Sequence, residues 1–278
     1  MTLALVGFAV NSVLCRAALE PEAIDAASFT IVRLASGALV LAVLSLAANR
    51  GRWSAAHGSW RAALSLFLYA ICFSYAYLSL SAGTGALVLF GMVQATMILA
   101  GLVGGERPSA AEWLGWLLAI GGLVYLLFPG IAGAPSPGGS VLMGVSGVAW
   151  GAYTLLGRNS TNPLAATTNN FIRCLPFLVV VGLFGGGAMQ LSPRGIVLAA
   201  LSGGVASGIG YACWYRALRG LGSFRGAIVQ LPVPALAALG GIMFLSEELT
   251  PRLVIASLLI LGGIGLALRG RERLASAK

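Results

Sequence analysis

The chain has 278 residues, 58% of them hydrophobic and only 9% charged, with a net charge of +9 and a mean hydropathy of +0.92. A soluble domain carries roughly 25% charged residues, so a water-facing surface cannot be covered here and most of the surface must meet lipid. Backbone in lipid has to satisfy its own hydrogen bonds, which makes the expected fold all-α, a polytopic membrane protein, and the 39 glycines suit helices that approach closely.

A spanning helix needs about 20 largely apolar residues, within a range of about 17–25. The first segment, 2–18, begins almost at once, without the pattern of a cleavable signal peptide, and holds Asn11 and Ser12 at its centre. The second, 28–48, carries Arg33 a turn or two inside its N-terminal end, and the third, 60–80, has Tyr75 and Tyr77 near its far end. The fourth, 85–103, places Gln94 mid-span, and the fifth, 110–128, is bland apart from Gly121-Gly122. The stretch 129–139 (PGIAGAPSPGG) is rich in Pro and Gly and reads as a linker. The sixth segment, 139–157, holds Trp150 and Tyr153; the seventh, 165–187, holds Arg173. The eighth, 194–215, ends in Tyr211, Trp214 and Tyr215, and the ninth, 224–245, contains Gln230, Pro232 and Pro234. The tenth is 250–269, with glycines at 262, 263 and 265.

The second five segments repeat the first with a shift of about 141 residues. Gly85-Ala86-Leu87-Val88 meets Gly226-Ala227-Ile228-Val229, Glu106 meets Glu247, and Gly121-Gly122 meets Gly262-Gly263. Arg33 falls near Arg173, and Arg16 near Arg158. Five spans is an odd number, so the second copy starts from the opposite side of the membrane. The expected organisation is a first repeat over 1–128, the linker, and a second, inverted repeat over 140–278. Many secondary transporters are built this way, with the substrate site between the halves near the midplane.

Lysine and arginine set the orientation. With the N-terminus inside, twelve of these residues fall on the inner side (Arg50, Arg52, Arg61, Arg107, Arg158, Arg216, Arg219, Arg225, Arg269, Arg271, Arg273 and Lys278) and three on the outer (Arg16, Arg194 and Arg252). Both termini are expected in the cytoplasm of a cell whose inner membrane holds the chain. The positive charge is then a topology signal with some attraction to anionic lipid, and no basic face with interleaved aromatics points to nucleic acid.

Enzyme chemistry has little to stand on. There is one histidine, His57, and the eight acids (Glu20, Glu22, Asp25, Glu106, Glu112, Glu247, Glu248 and Glu272) all fall in loops or at helix ends. No Walker A, HExxH or Gly-x-Ser-x-Gly pattern occurs, and no cofactor or metal is expected. Cys15, Cys72, Cys174 and Cys213 lie in apolar segments and read as buried small hydrophobes. Carriers driven by protons or exporting cations usually keep an acid at depth, and none stands there in this sequence.

Two five-helix copies of this length resemble the EamA-type branch of the drug/metabolite transporter superfamily. The likeness lies in Gly-Val-Ala-Trp-Gly-Ala-Tyr-Thr at 147–154, in the embedded Arg33 and Arg173, and in Gly105-Glu106-Arg107-Pro108 and Ser246-Glu247-Glu248-Leu249-Thr250 after the fourth helix of each copy. Within that branch the likeness leans to exporters of aromatic amino acids. The resemblance implies an alternating-access exporter of amino acids or similar small metabolites. It also implies that the first four helices of each copy surround the path while helices five and ten are scaffold.

On that footing Asn11, Ser12, Gln94, Trp150, Tyr153 and Gln230 are the expected substrate contacts, each of them equally readable as interhelical glue or packing. Tyr75, Tyr77, Tyr211, Trp214 and Tyr215 read as interfacial belt or as a pair of gates. Pro232 and Pro234 read as a hinge near the middle of helix nine. Arg33 and Arg173 either snorkel to head groups or bind a substrate carboxylate.

Overall fold

Serine, threonine, asparagine and aspartate mark where the helices start. The computed structural model describes residues 2–19, 22–52, 54–105, 109–128, 134–158, 160–184, 190–218 and 230–276, without the side chains of 184, 268 and 270–276. Its helices are α1 (Thr2–Leu19), α2 (Ala26–Ala48), α3 (Trp60–Ala76), α4 (Ala82–Val103), α5 (Ala110–Leu127), α6 (Pro137–Gly157), α7 (Pro163–Phe184), α8 (Pro193–Leu218), α9 (Pro232–Leu245) and α10 (Pro251–Ser276). Side-chain oxygens of Asp25, Ser59, Ser81, Ser136 and Ser192 accept from first-turn amides of α2, α3, α4, α6 and α8. Asn162 and Thr250 do the same for α7 and α10, and Ser109 with Glu112 forms a capping box on α5. Each such bond satisfies an amide that would otherwise lack a partner.

These caps explain most departures from the expected boundaries. Helix two starts at 26 and helix four at 82 because Asp25 and Ser81 are the caps. Pro137 stands at the start of α6, so the last three residues of the expected linker are already helical; its residues 129–133 lie outside the described residues, as do Glu106 to Pro108 and Gly226 to Val229. Pro232 likewise opens α9 and Pro234 falls in the same first turn. The expected break near Pro232 and Pro234 depends also on residues 224–229, which lie outside the described residues; within the described part proline suits a first turn, where its missing N–H costs nothing.

Among the described residues seven helices are long and apolar enough to cross a membrane, and α3, α9 and α10 contribute shorter apolar stretches. Large hydrophobic side chains such as Leu39, Leu99, Leu117, Val180, Phe244 and Leu258 face outward, while Asn11, Arg33, Gln94 and Gln230 are buried. This inversion of the soluble pattern is what a lipid solvent demands. Helices α5 and α10 pack chiefly against each other. Gly115 and Gly263 lie against one another's backbones there, with no room for a side chain, and Arg252 donates to the last carbonyls of α5. The pair meets the rest of the bundle mainly through α4.

The turn between α1 and α2 is tied to the segment before α8. Ile24 and Leu191 form an isolated antiparallel bridge, Ser192 N donates to Ala23 O at 2.9 Å, and Gln190 N donates to Asp25 at 3.0 Å. Burial pushes the Asp25 carboxyl up, but hydrogen bonds from Ser28 and Gln190 outweigh it and hold the group below the usual carboxylate range. A lowered folded-state value contributes stability above the unfolded value near 3.9 and loses it as pH falls through the folded one. Asp25→Ala is expected to cost about 1 kcal/mol at pH 7. Melting midpoints of variant and wild type should begin to converge as pH falls below about 4 and meet only below the folded value; a gap unchanged through that range would show that the carboxylate charge is not the cause.

All four cysteines are free; Cys15 and Cys174 are buried, whereas Cys72 and Cys213 are only half-buried, against the expectation for all four.

Candidate functional site

Helix α8 is the source of the site's geometry. Its middle, Leu201–Ile209, is wound as a π-helix between two α-helical ends, a rare form that concentrates at functional sites. Five residues of this segment are glycine, alanine or valine-sized neighbours of serines, so α2 and α1 come very near. A methyl group added at Gly203 would sit on the carbonyl oxygen of Arg33, and one at Gly7 would lie 3.0 Å from Ala206 O. The π winding brings Ser202 and Ser207 to one partner: both hydroxyls donate to Asn11 Oδ1, at 2.7 and 3.3 Å.

Arg33 stands at the centre of this contact and is 1% exposed. Its Nε donates to Ser207 Oγ at 3.2 Å, and its Nη2 donates to the hydroxyls of Tyr69 at 2.8 Å and Tyr211 at 3.2 Å. The guanidinium also lies over the rings of Tyr69 and Phe73, 5.1 and 4.8 Å from their centroids, an electrostatically favourable placement. Snorkelling is therefore the wrong description of Arg33, because its head group is turned into the protein. Nη1 has no hydrogen-bond partner, and neither does Asn11 Nδ2.

Against this polar group packs a closed set of rings. Trp150 meets Tyr211 at 4.7 Å, Tyr69 at 4.9 Å, Phe8 at 5.4 Å and Tyr153 at 5.7 Å between centroids. Its indole N–H donates to Gln230 Oε1 at 3.3 Å. Phe8 also takes Trp214 edge-on at 5.5 Å, and Tyr215 donates to the carbonyl of Tyr153. Tyr211, Trp214 and Tyr215 are at most 3% exposed, so the belt reading fails for them: a belt ring must reach the lipid interface.

The structure thus gathers Asn11, Trp150, Tyr153, Gln230, Tyr211, Trp214, Tyr215 and Arg33 at one place. Ser12 is buried on the same helix as Asn11. Gln94 lines a groove bounded by α4, α5 and α10 with Trp116, Leu123 and Ile260. Arg173 is half-buried and donates to His57 O at 3.1 Å. With Asn169, which donates to Ser54 O and His57 O, it fastens the loop before α3. Sequence reasoning missed Tyr69, Ser202, Ser207 and Phe8. One signal was available: Tyr69 and Tyr211, whose hydroxyls are 3.2 Å apart, are 142 residues apart, and so are Phe8 and Trp150.

Tyr75 and Tyr77 lie at one end of the bundle. Tyr77 is fully buried, with its ring against Phe73 and Gly85, while Tyr75 is half-buried. Here Arg16 donates to Tyr77 O at 3.1 Å and pairs with Glu247 at 3.7 Å. Glu247 in turn accepts from Ala82 N, at the start of α4, at 2.8 and 3.0 Å. A carboxylate at a helix N-terminus is favourably placed, and these bonds tie α1, α3, α4 and α9 together.

Among the described residues no group of three or more His, Cys, Asp or Glu side chains could hold a metal. A helical bundle that turns large apolar side chains outward and buries Asn11, Arg33 and Gln230 is the architecture of a multi-pass membrane protein. The chain belongs to the EamA-like transporter family, whose model matches residues 1–128 and 138–269. It is 56% identical over 269 residues, 97% of this chain and 93% of the other, to an uncharacterized protein of Pseudomonas aeruginosa. It is 27% identical over 263 residues, 91% of this chain and 90% of the other, to an uncharacterized transporter of Archaeoglobus fulgidus. A solved crystal structure shares the fold with a TM-score of 0.67 at 20% identity, covering 96% of this chain and 98% of that one.

Proposed function

We propose that this chain is a secondary carrier that exports amino acids, aromatic ones foremost, from the cytoplasm across a bacterial inner membrane by alternating access. The observation that carries the reading is the Trp150 cluster: a wall of rings beside polar groups that still have donors to give. Apolar pockets with a few convergent polar groups are the usual form of small-molecule sites, and an aromatic side chain with a charged backbone end matches both parts. In this reading the Arg16–Glu247–Ala82 contacts close the end next to α4.

The ten helices are two inverted five-helix repeats in this reading, with both termini in the cytoplasm. The family match breaks into two stretches on either side of the linker, which supports it. So do the contacts Tyr69–Tyr211 and Phe8–Trp150, each between residues one repeat apart.

Counterflow into liposomes holding the purified protein tests the function. Labelled Trp and Phe should accumulate ahead of Thr, and a cationic dye should not. Accumulation of the dye alone would replace the reading with drug export, and no flux of any solute would leave a non-transporting membrane protein. Downhill flux should also survive collapse of the pH gradient, because no acid contacts the ring cluster among the described residues. A protonophore that abolishes it would place one of the helix-end acids in the path.

A further inference from the structure

We infer that Arg33 is the receptor for a carboxylate of the transported solute, so that an anionic group is required of anything the carrier moves. The inference rests on the reading of the central cluster as the solute site. Its starting point is an imbalance of charge. Arginine stays protonated and offers five N–H donors. Three hydrogen bonds are made, by Nε to Ser207 and by Nη2 to Tyr69 and Tyr211, and Nη1 makes none. No carboxylate pairs with Arg33 among the described residues: the ion pair formed by Glu247 is with Arg16, Asp25 caps α2, and Glu112 caps α5.

Neutral hydroxyls and ring faces offset only part of the cost of holding a charge out of water. A buried charge is normally paired, and an ionisable group at membrane depth is functional by default, with its partner to be named. Here the described residues supply no such partner. A solute that brings a carboxylate would complete the pair in the forked, two-point geometry that a guanidinium favours. Asn11 Nδ2, the second donor left without a partner, stands on the same network through Ser207 and can take an oxygen of the same group. Lysine in place of Arg33 would lack the planar fork and the ring stacking. The rings of Trp150 and Tyr211 then accept the apolar part of the solute, which makes the carboxylate the feature common to all substrates and the side chain the feature that grades them.

The test is the melting midpoint of the purified full chain in detergent, with probes that separate the two parts of the site. Tryptophan and indole-3-propionate carry the carboxylate, tryptamine carries only the amine, and propionate carries a carboxylate without a ring. Ligands that bind the folded state raise its midpoint. Wild type is expected to be stabilised by tryptophan and indole-3-propionate and not by tryptamine. In Arg33→Gln and Arg33→Lys that stabilisation should need at least about tenfold more ligand, a shift of about 1.4 kcal/mol. Stabilisation by tryptamine equal to that by tryptophan would overturn the inference, as would an Arg33→Gln protein that responds to carboxylates like wild type. Equal stabilisation by inorganic phosphate or chloride alone would overturn it too, by making Arg33 a site for free anions. If the arginine variants do not fold, the wild-type comparison of the four organic probes still decides. Arg33-dependent stabilisation by propionate but not by tryptophan would sustain the carboxylate receptor while removing the aromatic preference.

Discussion

Trp150→Ala is expected to lower the flux of aromatic amino acids by about tenfold or more, equivalent to about 1.4 kcal/mol of lost stabilisation. Four rings lie within 5.7 Å of its centroid and its indole N–H is bonded to Gln230, so truncation removes the wall on which a solute ring would rest. Truncating a buried tryptophan also costs folding stability, typically about 3–5 kcal/mol. Trp150→Phe keeps most of the ring and tests the site without the cavity. Asn11→Ala is the polar counterpart and removes the acceptor for Ser202 and Ser207. Counterflow rates of monodisperse protein decide the matter. Loss confined to one substrate marks direct contact, and equal loss for all marks a conformational role. Wild-type rates in both alanine variants would place the solute elsewhere.

The order of the helices could be read from hydropathy, because lipid imposes length and polarity on every span. The starts were legible in principle too: Asp25, Ser59, Ser81, Ser109, Ser136 and Ser192 each precede an apolar run and each caps it. What segment averages hide is the exact first residue, so the second helix, read from 28, begins at Ala26 and the fourth, read from 85, at Ala82. In the site, Asn11, Trp150, Gln230 and Tyr211 stood out as polar or large groups in apolar surroundings. Ser202 and Ser207 did not, for a geometric reason. At 3.6 residues per turn two positions five apart lie roughly 140° apart around a helix, so no periodicity places both against one asparagine. The π winding does, and its register shift leaves no trace in a hydropathy profile. Arg33 carried two opposed readings because depth in a segment does not say which way a long side chain turns; the hydroxyls of Tyr69 and Tyr211 decide that, from helices far away in sequence.

Gly203→Ala is expected to lower the melting midpoint markedly and to abolish transport, although the change adds a single methyl group. A Cβ at this position would fall on the carbonyl oxygen of Arg33 and on Ser36 Oγ. Backbone cannot swing aside as the tip of a flexible side chain can, so α8 has to withdraw from α2. Over-packing of a close interior costs typically about 1–3 kcal/mol, and here the displaced segment also carries Ser207, which holds Arg33, and Ser202, which holds Asn11. Stability and site geometry should therefore fail together. The control is Gly121→Ala, at a helical position with nothing within 4 Å of the added carbon; alanine there should be neutral or stabilising by up to about 1 kcal/mol, since glycine is the poorer helix former. Melting midpoints and size-exclusion profiles of the two variants, followed by counterflow, make the comparison. If Gly203→Ala melts with wild type and transports at its rate, the close approach of α2 and α8 is not what sets the position of Arg33, and the guanidinium is held by Tyr69 and Tyr211 alone.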